Sequence, residues 1–122
     1  ITITPSHKPK NDKEEPYHKN IHIQDNLFKV FDAPLVRARS VRSLVFTGNR
    51  IEKTNTYQPY AWQKSAFMLD GCRDVIIRDN IIDKKYMAKE ILIEHMKKND
   101  IKTDVFNIGL LDNKKMKTHL EW

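Results

Sequence analysis

Charged side chains at every second position of short apolar runs are the first chemistry this sequence offers. Arg37 and Arg39 alternate with apolar residues in "PLVRARS", Asp70 follows Met68 in "AFMLDGC", and Glu94 stands in "EILIEHM". Alternate residues of a strand share a face. These groups therefore project from one side, while Val36, Ala38, Phe67, Leu69, Ile93 and His95 take the other. Arg39 is expected to stack on Asp70, and Arg37 and Glu94 to share a column two strands apart. Paired carboxylates can divide the work of general acid and general base. Asp70 and Glu94 are the best candidates, with Asp32 in a turn beside them. A second set lies in "KTNTYQPYAWQK" (53–64), where Tyr57, Tyr60 and Trp62 can stack on the apolar face of a sugar ring. Plainer readings stay open. The charges can form a surface ladder of ion pairs, weak by nature, and the loop can pack its own aromatics. No His-Glu-x-x-His spacing occurs, so no metal site is expected. The single cysteine, Cys72, excludes an intrachain disulfide, and its place in the pattern suggests a small buried residue.

Three stretches explain how such strands are held. "HKNIHIQDNL", "VRSLVFTGNR" and "CRDVIIRDNI" align on Asn26, Asn49 and Asn80. Ile21, Leu44 and Val75 then fall in one column, Ile23, Phe46 and Ile77 in a second, and Phe28, Ile51 and Ile82 in a third. A second short strand per unit aligns Val36 with Phe67 and Ala38 with Leu69. "ITITP" serves as its degenerate first copy and residues 90–96 as a third, with Ile93 on Phe67 and Ile101 on Val75. A unit of this kind cannot bury its own apolar side chains, but stacked units can. The expectation is an all-β right-handed parallel β-helix of about four coils with a C-terminal cap. Asn at a sharp bend tolerates left-handed backbone, and stacked amides can bond along the axis. An ordinary antiparallel β domain is the rival. Residues 84–98 contain many helix formers; a capping helix competes there with the strand preferred for 90–96. The chain reads as one domain, 1–122, with a loop insertion at 6–20, the aromatic loop at 53–64, and a cap, tail or final partial coil at 105–122.

The net charge of +6 is spread among 16 acidic residues without a block of one sign. That favours a solvated surface over nucleic acid, although a polyanion-binding module remains an alternative. No stretch is long and apolar enough to cross a bilayer, so no membrane partner is expected. The start lacks Met and a signal sequence, and a piece cut from a longer protein is expected. Open solenoid ends are sticky edges, which leaves a route to homo-oligomers.

The coils "NIHIQDNLF", "SLVFTGNRI" and "DVIIRDNII" resemble those of pectate-lyase-type β-helices. The longer run "NIHIQDNLFKVFDAPLVRARSVRSLVFTGNRIEKT", with "FMLDGCRDVIIRDN" after the aromatic loop, resembles the C-terminal part of glycoside hydrolase family 110. Its members are α-1,3-galactosidases of gut and marine bacteria. The resemblance implies removal of terminal α-1,3-linked galactose with inversion, without a cofactor, by a periplasmic or secreted enzyme acting on galactose-bearing glycans. It implies two carboxyl groups about 6.5–9.5 Å apart, a span that strands about 4.8 Å apart can provide. On this reading Asp70 and Glu94 are catalytic, and Arg37, Arg39, Tyr57, Tyr60 and Trp62 bind substrate. No motif here carries over the family's own acid or base. A non-catalytic carbohydrate-binding or structural module of adhesin or tail-spike type is the alternative.

Overall fold

The computed structural model describes residues 1–60 and 64–110. Among these, regular structure is almost wholly strand. The order is β1 (Thr2–Ile3), β2 (His18–Gln24), β3 (Leu27–Val30), β4 (Val36–Arg39), β5 (Val41–Thr47), β6 (Arg50–Lys53), β7 (Ser65–Asp70), β8 (Val75–Arg78), β9 (Ile81–Ile82), β10 (Glu90–Glu94), β11 (Ile101–Thr103) and β12 (Asn107–Leu110), with a 3₁₀ turn at Lys98–Asp100. The strands make three sheets: sheet A in the order β1-β4-β7-β10-β12, sheet B in the order β11-β8-β5-β2, and sheet C in the order β3-β6-β9. All neighbours run parallel. From β1 to β9 the chain visits A, B and C in turn, and each pass lays a strand beside the one before.

The register follows the apolar columns. Ile23 pairs with Phe46 and Phe46 with Ile77; Phe28 pairs with Ile51 and Ile51 with Ile82. Val36 meets Phe67, Ile101 meets Val75, and the first strand joins β4 through Thr2 and Ile3. Leu44, Phe46, Phe67, Ile77, Ile91 and Ile93 are fully buried between the sheets, each contributing about 1.5–3 kcal/mol of apolar burial. Phe46 meets Phe67 edge-on at 5.0 Å, and Phe67 meets Phe106 at 5.1 Å. One pairing departs from expectation. Ile91, not Ile93, pairs with Phe67, Ile93 pairs with Leu69, and the shift follows an irregularity between Glu90 and Ile91. A slip of two residues keeps every side chain on its face, so alternation alone could not detect it.

Residues 90–94 form a strand with partners on both sides, and no α-helix occurs among the described residues. Sheet pairing overrides the helix propensity of this stretch, as tertiary context often does. The strand after the first loop begins at His18, so residues 18–20 are strand rather than loop. Residues 107–110 add a further strand to sheet A; residues 111–122 lie outside the described residues.

Three columns of left-handed residues turn the chain. Ser40, Gly71 and His95 follow sheet A; Asn20 and Ser43 fall near the starts of β2 and β5, and Asp74 just before β8; Asp25, Gly48 and Asp79 follow sheet B, all with φ between 51° and 65°. The third column corrects the sequence reading. The left-handed residue is the one before each Asn, and the Asn itself links one pass to the next. Asn49 Oδ1 accepts from Asn26 N at 2.9 Å and from Asn26 Nδ2 at 3.1 Å. Asn49 Nδ2 donates to Ile23 O at 2.8 Å, and Asn49 N donates to Asn80 Oδ1 at 2.9 Å. Gly48 takes the left-handed conformation without steric cost, and a Cβ on it would press on the Asp25 carboxylate.

Asn49 is wholly buried, and its removal would leave Asn26 N and Ile23 O without these bonds, at about 1–3 kcal/mol for each buried group. Asn49→Ala should therefore lower unfolding stability by about 2–4 kcal/mol. Asn49→Asp should be no better, because a carboxylate cannot donate to Ile23 O. Urea unfolding of the three proteins checks both; a loss below about 0.5 kcal/mol for the Ala variant would remove the network from the account.

Candidate functional site

Sheet A carries the candidate carboxylates on its outer face, at the ends of its strands. Arg39, Asp70 and Glu94 stand in one column, and Arg37, Met68 and Leu92 in the next. Arg39 therefore stacks on Asp70 as expected. Glu94 joins that column rather than Arg37's, because of the two-residue slip. Arg39 and Asp70 are 5% and 4% exposed. Their ion pair, Nε to Oδ2, is 3.3 Å.

The sequence reading turned His95 into the core, and the structure turns it out. Glu94 ends the strand, and His95 sits in the left-handed corner column with Ser40 and Gly71, which breaks the alternation. Its Nδ1 lies 2.7 Å from Asp70 Oδ1. Asp70 thus stands between a guanidinium and an imidazole. Arg73, also buried, donates from Nη1 to the carbonyls of Cys72 at 2.8 Å and His95 at 3.2 Å, which fixes the corner. The segment before β2 closes over this end. Pro9 is buried where a Cβ on Gly71 would meet its Cγ at 2.5 Å. Arg42 grips Glu15 through two bonds of 2.8 and 2.9 Å and Asp74 through one of 2.9 Å.

Burial pushes the Asp70 carboxyl above its ordinary value; the hydrogen bond and charge of His95 pull the other way, Glu94 adds to the rise, and Arg39 opposes it. An imidazole held by a carboxylate, with a second carboxylate beside it, can hold or relay a proton. Donor atoms of Asp70, Glu94 and His95 all lie within 4.8 Å of one another, close enough to ligate one ion. Arg39 already supplies positive charge to Asp70 there. Cys72 carries no chemistry: it is fully buried, and burial pushes its thiol up to about 12.

The aromatic loop lies elsewhere. Tyr60 borders a cavity of about 610 Å³ with Asp32 and with Lys64 and Glu90, which flank the beginnings of β7 and β10. Asp70 and Glu94 are at the ends of those same strands. Four or five residues of extended chain, about 13–17 Å, separate the two places. Among the described residues, Asp70 and Glu94 therefore do not stand beside Tyr57 and Tyr60; of the three candidate carboxylates only Asp32 does. Asp32 holds the loop: Oδ1 accepts from Ala33 N at 2.8 Å and Oδ2 from Tyr60 N at 3.0 Å. Tyr57 packs edge-on against Phe31 at 5.3 Å. Trp62 lies outside the described residues. Sequence reasoning missed Tyr86 and the lysines around this cavity, because the run "KKYMAKE" reads as a helix or spacer without periodicity.

Curated proteins similar to the chain share one description. It is 40% identical over 102 residues to an α-1,3-galactosidase B of Bacteroides thetaiotaomicron, covering 84% of this chain and 16% of that protein. It is 36% identical over 105 residues to an α-1,3-galactosidase A of Bacteroides fragilis, covering 86% and 17%. The chain is related to the α-1,3-galactosidases of glycoside hydrolase family 110. An α-1,3-galactosidase B of Akkermansia muciniphila is 32% identical over 80 residues, 66% of this chain and 10% of that protein. The chain spans about a sixth of the length of the first two α-1,3-galactosidases. No family profile matches it, and no solved structure does.

The raised Asp70 pKa has a defined sign in stability. The folded state binds this proton more tightly than the unfolded one. The contribution is fully present below the unfolded carboxylate value, about 4, and is lost as pH rises through the raised folded value. The stability of the parent protein minus that of Asp70→Asn should therefore fall as pH climbs from about 3 to about 7. Urea midpoints across that range measure it; a difference that rises with pH would mean the pairing with His95 and Arg39 outweighs burial.

Proposed function

We propose that this chain is a segment of a glycoside hydrolase that removes terminal α-1,3-linked galactose with inversion of configuration. The observation that carries the reading is the 40% identity over 102 residues to an α-1,3-galactosidase. We further infer that sheets A, B and C wrap as one right-handed parallel β-helix domain of about four coils, since parallel strand connections are overwhelmingly right-handed. Residues 6–17 and the connection from β6 to β7 are its insertions, and β12 (Asn107–Leu110) is its last described strand. In-register left-handed corners after sheet A and after β2, β5 and β8 support this wrapping. The substrate class is galactose-terminated glycan. Acid and base carboxylates perform the hydrolysis without a cofactor, in the periplasm or outside the cell. The end strands of sheet A are the edges through which copies would pair.

Within this segment, a specific observation favours a structural role for the carboxylate pair. Inversion asks for carboxyl groups about 6.5–9.5 Å apart, with room for water. One oxygen of Asp70 lies within 4.8 Å of one of Glu94, and Asp70 is 4% exposed. The column Arg39–Asp70–Glu94, closed by His95, serves better as a buried ladder that holds sheet A in register.

The test uses the parent-length protein and an α-1,3-linked galactoside. Activity is expected, and its absence would remove the galactosidase reading. Folded Glu94→Gln and Asp70→Asn proteins should keep kcat within about threefold, whereas loss of a general acid or base costs about 10²–10⁴-fold. A loss of that size in either folded variant would return the pair to the catalytic centre.

A further inference from the structure

The cavity beside the aromatic loop has the size and lining of a ligand site independent of the Asp70 column. Its volume, about 610 Å³, falls in the range of about 300–1,000 Å³ typical of small-molecule pockets. Three parts of the fold build it: the turn after β3, the loop between β6 and β7, and the connection between β9 and β10. Lys53, Lys64, Lys85 and Lys89 line it, against two carboxylates, Asp32 and Glu90. Asp32 accepts from the backbone amides of Ala33 and Tyr60 and keeps its charge, while Lys53 Nζ donates to Thr54 O at 2.6 Å. The lining therefore has an excess of cations drawn from separate segments. Around them stand Phe31, Tyr60, Met87 and Ala88, which offer ring faces and apolar surface. Tyr86, 2% exposed, also belongs to the wall. Its hydroxyl is buried without a hydrogen-bond partner among the described residues, a state that costs about 1–3 kcal/mol.

We propose that this cavity binds a short glycan through a negatively charged sugar, one bearing a carboxylate or a sulfate. The lysines take the charge, and Tyr60 and Phe31 take the apolar face of the ring. Positive charge alone would accept any anion; the aromatic faces select a sugar. Asp32 is a positioning residue, since it touches the loop and holds Tyr60 at the rim.

The test is a calorimetric titration of the 122-residue chain with sialyllactose, sulfated lactose, neutral lactose and inorganic sulfate. Either anionic glycan should bind at least about tenfold more tightly than lactose, a difference of about 1.4 kcal/mol, and the better of the two names the charged group. The double variant Lys85→Glu with Lys89→Glu should lose that binding by about tenfold or more. A control with the same charge change on a remote strand, Lys19→Glu with Lys102→Glu, should stay within about twofold of the parent. Lys85→Ala with Lys89→Ala serves where charge reversal harms folding, and is expected to weaken binding in the same direction. Tyr60→Ala should weaken either anionic glycan by several-fold and leave the response to inorganic sulfate unchanged. The proposal is overturned if neither anionic glycan binds, if lactose binds as well as they do, if inorganic sulfate alone competes for the whole signal, or if both lysine doubles bind like the parent.

Discussion

The whole structure hangs on the backbone at three corners. Parallel strands joined at fixed bends keep their faces only if every bend falls at the same residue of each pass, because a slip of one turns the core side outward. The nine residues with positive φ satisfy this by standing in three columns of three. For a residue with a Cβ the left-handed conformation costs roughly 1–2 kcal/mol, less for Asn and Asp. Asn, Asp, Ser and Gly supply eight of the nine positions, and His95 is the ninth. At the corner after sheet B, Asn49 offsets that cost with bonds to the passes on both sides.

The same constraint makes the charged column. The corner after sheet A takes Ser40, Gly71 and His95 in succession. Only His95 has a side chain long enough to reach back one strand, and there it finds Asp70 already facing Arg39. Asp70 is thus drawn into the protein by the partners that flank it. Breaking such a pair from one side is costly, while the intact pair adds little over an apolar substitute. That asymmetry suits a group that enforces register more than one that must change protonation in a reaction cycle.

Most of the architecture was legible because its signals are periodic. The columns Ile23–Phe46–Ile77, Phe28–Ile51–Ile82 and Val36–Phe67 repeat at matched positions, and the three Asn residues mark the same place in each pass. What failed was what periodicity cannot see. The pairing of Ile91 rather than Ile93 with Phe67 is an even offset of two residues and so leaves the alternation intact. His95 was assigned by alternation to a face when it occupies a corner. The cavity was invisible because its walls come from three connections without a pattern. The order of the sheets alone puts Lys64 near the start of β7 and Lys85 and Lys89 before β10.

Parallel strands also segregate function by strand polarity. Every strand of sheet A begins on the side of the cavity and ends on the side of the Asp70 column. Between the two, the outer face presents Met68 and Leu92, paired in register and only 1% and 4% exposed. A ligand running along that face would have to cross Met68 and Leu92, which are closed and apolar, with half-buried Arg37 in the same column. The two ends are therefore chemically separate: one a buried charge network that fixes the sheet, the other an open cationic cavity rimmed by aromatics. In a chain of this fold the strand entries are free to evolve contacts, because the loops there carry no corner constraint. The exits after sheet A are not free, because each must end in a left-handed residue at the same level.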